Sequence, residues 1–136
     1  SPNGRNVITV GYDKKVLMWD TNTGYMIKEL RLKEYTQRIV YNSLGTRILQ
    51  NPDNVSPVSI ITLWDNLGNV INQLTHVDKI ESALFSKDGK KIITQSFKEL
   101  KIWDGQSGEL VKNINEDNNY FSVALSNDSQ KIIYGN

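Results

Sequence analysis

Tryptophan occurs three times in this chain, and each time aspartate follows it: Trp19-Asp20, Trp64-Asp65 and Trp103-Asp104. The pairs are 45 and 39 residues apart. A second marker runs out of phase with the first. It reads SPNGRNVIT from Ser1, NSLGTRILQ from Asn42, SKDGKKIIT from Ser86 and SNDSQKIIY from Ser126, at spacings of 41, 44 and 40. Two independent markers that share a period of about 40 residues define a tandem repeat of one small supersecondary unit. Such a unit cannot bury its apolar face alone. The fold must therefore be a stack or ring of like units, each covering its neighbour.

Between the markers the pattern is short and alternating. Strands are predicted at Val7–Val10, Val16–Trp19, Tyr25–Leu30, Arg38–Tyr41, Arg47–Gln50, Ser59–Trp64, Val70–Leu74, Ile80–Phe85, Lys91–Thr94, Leu100–Trp103, Glu109–Ile114, Tyr120–Leu125 and Lys131–Tyr134. They are rich in Val, Ile, Thr, Tyr and Trp, and clusters of Asn, Asp, Gly and Ser separate them, which is the all-β signal. No window carries a sustained 3.6-residue apolar period, so no substantial helix is expected.

Composition excludes several function classes. The 136 residues carry a net charge of +1, which gives no basic surface for nucleic acid or an anionic membrane. There is no cysteine, hence no disulfide, thiolate metal site or cysteine nucleophile, and an intracellular, cytoplasmic setting is expected. No stretch approaches the roughly 20 apolar residues of a membrane helix. The chain opens in a turn and closes on a strand that runs into another turn, and it is read as a fragment, a single segment over residues 1–136.

The stretch HVDKIESALFSKDGKKIITQSFKELKIWD, His76 to Asp104, resembles a WD repeat, and the resemblance extends over nearly the whole chain. It implies an all-β partial β-propeller built of four-stranded antiparallel blades. With strands named a to d from the centre outward, the chain reads b-c-d, a-b-c-d, a-b-c-d and a-b: two complete blades and two partial ones. Missing sequence or another chain would complete the ring. The resemblance also implies a hydrogen-bonded set in each blade: His before strand a, Ser or Thr on strand b, Asp in the b–c turn and Trp on strand c. The first unit offers Thr9, Asp13 and Trp19. The third offers His76, Thr94 and Trp103, with Phe97-Lys98 standing where the Asp is expected. The second has Leu32 in the His position and the fourth has Glu116 there.

Few residues invite a chemical reading, and each has a plainer one. His76 is the single histidine, and one histidine cannot make a zinc site, which wants three or four ligands. The acidic residues Asp88, Glu116, Asp117 and Asp128 fall at turns, where carboxylates serve the backbone. Paired acid–base chemistry instead requires convergence at fixed separation. The sequons at Asn54 and Asn127 are expected by chance in an Asn-rich chain. No phosphate loop or nucleophile elbow occurs. No catalytic, cofactor or metal residue is assigned.

What is left is surface. In propellers of this kind partners usually meet the face made by the d–a and b–c loops. Here that face carries Tyr12, Arg31, Lys33, Tyr35, Asp53, Asn54, Phe97 and Lys98, and the long Asn51–Val58 loop holds two prolines. Exposed aromatics and arginine are the residue types that anchor protein interfaces. The expected function is a non-catalytic scaffold binding a protein or peptide, with no nucleic acid and no membrane as partner. One alternative is a sensor or interaction module appended to a catalytic domain outside this segment. The other is a propeller enzyme whose ligands come from blades not seen here.

Overall fold

The computed structural model describes residues 1–32, 35–52, 59–114 and 122–135, with the backbone alone at Gln37, Pro52 and Ser59. Among these residues there are thirteen strands and no helix. They are β1 (Asn6–Val10), β2 (Lys15–Asp20), β3 (Met26–Arg31), β4 (Thr36–Tyr41), β5 (Arg47–Pro52), β6 (Ser59–Asp65), β7 (Val70–His76), β8 (Ile80–Phe85), β9 (Lys91–Ser96), β10 (Leu100–Asp104), β11 (Leu110–Ile114), β12 (Ser122–Leu125) and β13 (Ile132–Gly135). They form four antiparallel meanders in chain order: β1–β3, β4–β7, β8–β11 and β12–β13. The chain is thus a partial β-propeller with two complete four-stranded blades and two partial ones. Glu109 lies just outside its strand, and Thr36 joins one in which it was not expected.

The repeat is visible in the register. In each of the first three sheets the pairing between the third and fourth blade strands slips by one residue at the Trp: Met18/Trp19, Leu63/Trp64 and Ile102/Trp103. The extra residue sits on the outer strand and bends it, as a β-bulge does. The Asp after each Trp closes the following turn. Its Oδ1 accepts backbone N–H bonds from Asn22 and Thr23, from Leu67 and Asn69, and from Gln106 and Ser107. These bonds favour the ionised carboxylate and hold Asp20 and Asp104 below the usual carboxylate range.

Because sheets stack face to face, the core lies between them. Val16, Met18, Ile48 and Trp64 fill the first interface. Leu49, Ile61, Leu63, Leu74, Ile80, Ile92 and Trp103 fill the second. Ile93 and Leu100 meet Val123, Leu125 and Ile132 in the third. Polar ties follow the same seams. Lys28 Nζ donates to Asn69 Oδ1 (3.0 Å), Asn72 Nδ2 to the Gly108 carbonyl (2.9 Å), Arg47 Nε to the Gln106 carbonyl (2.9 Å) and Lys91 Nζ to the Ser129 carbonyl (3.1 Å). At the two ends the apolar faces stay open: Val7, Met26 and Ile27 are exposed on the first sheet, and Ile133 on the last.

One turn departs from the repeat. Gly4, Gly45 and Gly89 all hold φ near +70° in the first turn of their units, and Ser129 holds φ +59° at the equivalent place. A side chain there strains the left-handed backbone by about 1–2 kcal/mol, and the Ser129 hydroxyl is buried without a partner. Ser129→Gly should therefore stabilise the full-length protein by about 1 kcal/mol, net of the greater freedom glycine gives the unfolded state. A higher denaturant midpoint at unchanged slope is the expected result. An unchanged or lower midpoint would contradict it.

Candidate functional site

The third sheet holds a buried polar network. Trp103 Nε1 donates to Thr94 Oγ1 at 2.7 Å, and His76 Nε2 lies 2.6 Å from the same oxygen. Thr94 Oγ1, already an acceptor from Trp103, has its own proton to give to His76 Nε2, and on that assignment the imidazole proton sits on Nδ1. Nδ1 lies 3.3 Å from Glu99 Oε2, outside hydrogen-bond geometry, and is drawn to it by charge only when the ring is protonated. Glu99 in turn receives Lys101 Nζ at 2.8 Å, and Lys101 also donates to the Thr75 carbonyl of the second sheet at 2.9 Å.

Glu99 is the residue the sequence reading missed. The carboxylate expected at Phe97-Lys98 comes instead from Glu99, the residue just before β10, at the end of the short turn. Lys101 was missed as well. It pairs across the ladder with Thr94, so it shares the buried face, and only 8% of it is exposed. Burial lowers the His76 pKa to about 4, and the Lys101 charge pushes the same way. Glu99 and Asp78 oppose them. Burial raises Glu99, but its bonds to Lys101 and the Val77 N–H outweigh that and leave it below its ordinary range.

His76, Asp78 and Glu99 bring one ligand atom each within 4.8 Å of one another. Lys101 Nζ stands against that group as a fixed positive charge, so the set is balanced by a cation of the chain itself.

The first sheet repeats part of this network in the open. Trp19 Nε1 donates to Thr9 Oγ1 at 2.9 Å, on an exposed face. Asp13 does not join that pair. Its Oδ1 accepts from the Lys15 N–H (3.2 Å) within its own turn. In the second sheet the hydroxyl is gone: Gln50 sits in the register place of Thr9 and Thr94, two residues on from the partner of the Trp. Gln50 Nε2 goes to Thr36 Oγ1 (3.0 Å), and Trp64 Nε1 is buried with no partner.

The loop residues lie where the strand ends put them, on the edge formed by the b–c turns and d–a connections. Tyr12 is 96% exposed, Tyr35 43% and Phe97 42%. Lys14 Nζ stands 4.7 Å from the centre of the Tyr35 ring, joining the turn of Tyr12 to the next connection. Arg31 Nε is 3.2 Å from Glu29 Oε1. The Lys98 backbone N–H is held by Asp78 Oδ2 (3.1 Å), fixing the turn that presents Phe97. Lys33, Asp53, Asn54 and Glu116 lie outside the described residues.

Comparisons with known proteins agree with this geometry at the level of fold. No protein-family model matches the chain. It is 28% identical to Autophagy-related protein 16 of Arabidopsis thaliana over 144 residues, which cover 98% of this chain and 26% of that protein. The chain thus spans about a quarter of the length of this relative. A solved structure of U3-55K superposes with a TM-score of 0.69 over 90% of this chain and 39% of that one, at 13% identity, and shows likeness of fold. Among the described residues no helix is long and apolar enough to cross a membrane.

Proposed function

We propose that the chain is a stretch of WD-repeat propeller that serves as a non-catalytic scaffold for a protein or peptide partner, in the cytoplasm. The observation that carries this reading is how the ionisable groups are used. His76, Glu99 and Lys101 close on one another and on Thr94 and Trp103, and Asp20, Asp65 and Asp104 close on turn amides. These groups support the blades and are spent on the fold, not held ready for a substrate. What the chain offers outward is aromatic and cationic: Tyr12, Tyr35 and Phe97, with Lys14 and Arg31 beside them. The similarity to Autophagy-related protein 16 supports a repeat of this class, and its partial span leaves room for further blades or for an attached domain.

The test is alanine substitution at Tyr12, Tyr35 and Phe97 in the full-length protein, followed by recovery of its bound partners. Loss of a partner at unchanged stability is the expected result. Interface hot spots of this type cost about 2 kcal/mol or more on truncation, about thirtyfold in affinity. Unchanged recovery, with loss on mutating the opposite turns around Leu44 and Leu67, would show that the other face is used.

A further inference from the structure

Among the described residues two that are not glycine hold a left-handed backbone, Lys14 (φ +62°) and Ser129 (φ +59°). The Ser129 hydroxyl gains no partner there. Lys14 sits in the hairpin turn between β1 and β2. Its N–H donates to the Gly11 carbonyl (3.2 Å), and the Gly11 N–H donates to the Lys15 carbonyl (3.0 Å). That is a tight turn followed by one left-handed residue, a place glycine fills most easily. The surroundings hold the lysine in it. Asp13 Oδ1 accepts the Lys15 N–H (3.2 Å), and Gly11 leaves room for that carboxylate, since a Cβ at Gly11 would run into it. Lys14 then reaches across to the next connection twice. Its carbonyl accepts the Leu32 N–H at 2.8 Å, and its Nζ stands 4.7 Å from the centre of the Tyr35 ring. A side chain kept at a strained backbone position on an exposed turn, and held there by its neighbours, points to a use for that side chain.

We propose that Lys14 is a positioning residue of the loop face: it locks the turn that carries Tyr12 to the connection that carries Tyr35, so that the two rings meet a partner as one preset surface. Tyr12 is 96% exposed, so packing within the chain does not account for its ring. Tyr35 belongs to the following sheet's approach, across the first seam, and the ammonium above its ring restricts where that ring can turn. Two rings ordered only on binding would each cost affinity, and a turn already tied to its neighbour spares part of that cost. Glycine at position 14 would relieve the backbone and lose the ammonium. Arginine would keep a cation that stacks on an aromatic face. This inference rests on the reading of the loop face as the partner-binding surface and adds what sets the shape of that surface.

The test compares Lys14→Gly and Lys14→Arg in the full-length protein. The tyrosine rings are isotope-labelled for magnetic resonance, with Tyr12→Phe and Tyr35→Phe to assign them. The protein partner whose recovery depends on Tyr12 and Tyr35 is purified and titrated against each variant. Lys14→Gly should move and sharpen the Tyr35 ring signals and leave those of Tyr25, beyond the far end of β2, in place. It should weaken partner binding roughly fivefold, the cost of ordering about one further side chain. The denaturant midpoint should stay close to that of the wild type, because relief of the left-handed strain offsets the lost contact. Lys14→Arg should restore both the Tyr35 signals and the affinity. Tyr35 signals unmoved by Lys14→Gly, an affinity unchanged by it, or a loss that Lys14→Arg does not restore would overturn the role of Lys14. The two readings fail separately. An unchanged affinity in Lys14→Gly, with recovery still dependent on Tyr12, Tyr35 and Phe97, removes the positioning role alone, whereas loss of that dependence removes the loop face.

Discussion

Thr94→Val should destabilise the protein by about 2–4 kcal/mol, because one hydroxyl answers two buried groups. Valine keeps the shape of the side chain and removes its oxygen. Trp103 Nε1 and His76 Nε2, now 2.7 and 2.6 Å from that oxygen, would both be left unsatisfied in the interior. Water cannot easily replace the lost partner, since Thr94 itself has no exposed surface and His76 has 2%. Denaturant unfolding of the full-length protein and its Thr94→Val variant measures the loss directly, with Thr94→Ser, which keeps the hydroxyl, expected to retain more of the stability. A midpoint unchanged by Thr94→Val would mean that the third-sheet network contributes nothing.

Acid should weaken the protein well before its carboxylates titrate. His76 is neutral in the folded state with a pKa of about 4, against 6.5 for an ordinary histidine. As pH falls below 6.5 the unfolded chain takes up a proton that the folded chain refuses, so stability falls. The loss continues until the folded pKa near 4 is reached and then levels off. A tenfold difference in proton affinity between the two states is worth about 1.4 kcal/mol, which gives a loss on the order of 3 kcal/mol across that window. Glu99 acts lower down: its pKa is depressed, so its contribution is present above the ordinary glutamate value and goes as pH falls through its lowered one. The window between pH 6.5 and 4 therefore belongs mainly to His76. The check is the pH dependence of unfolding for the wild type and for His76→Gln. The variant should be less stable at pH 7.5 and flatter between pH 6.5 and 4. Parallel curves would show that His76 titrates normally.

Much of the fold is legible in the sequence, for physical reasons that differ between elements. Strands such as Ser59–Asp65 and Lys91–Ser96 carry a period-2 or continuous apolar pattern between turn residues, and that pattern has few other solutions. Trp19, Thr9, Trp103 and Thr94 were brought together by the resemblance to a WD repeat, and they occupy matching places in a repeated register. Glu99 and Lys101 escaped because their roles depend on a shortened turn and on which side of β10 faces the neighbouring sheet. A lysine in LKIWD reads as a solvent-facing charge until the ladder pairs it with Thr94. Asp13 was drawn into the hydrogen-bond set by the resemblance to a WD repeat, but its carboxylate accepts instead from the Lys15 N–H of its own turn.

If each blade is covered only by its neighbours, these 136 residues are too few blades to stand alone. Sedimentation velocity of the chain by itself, beside the full-length protein, tests that most directly. The open faces at Val7, Met26 and Ile27 on one side and Ile133 on the other, together with unpaired strand edges, are surfaces that associate. The isolated chain is expected to sediment as oligomers or aggregates and to unfold without a sharp transition, while the full-length protein sediments as a discrete species and unfolds cooperatively. A clean monomer of the isolated chain that unfolds in one cooperative step would contradict the account.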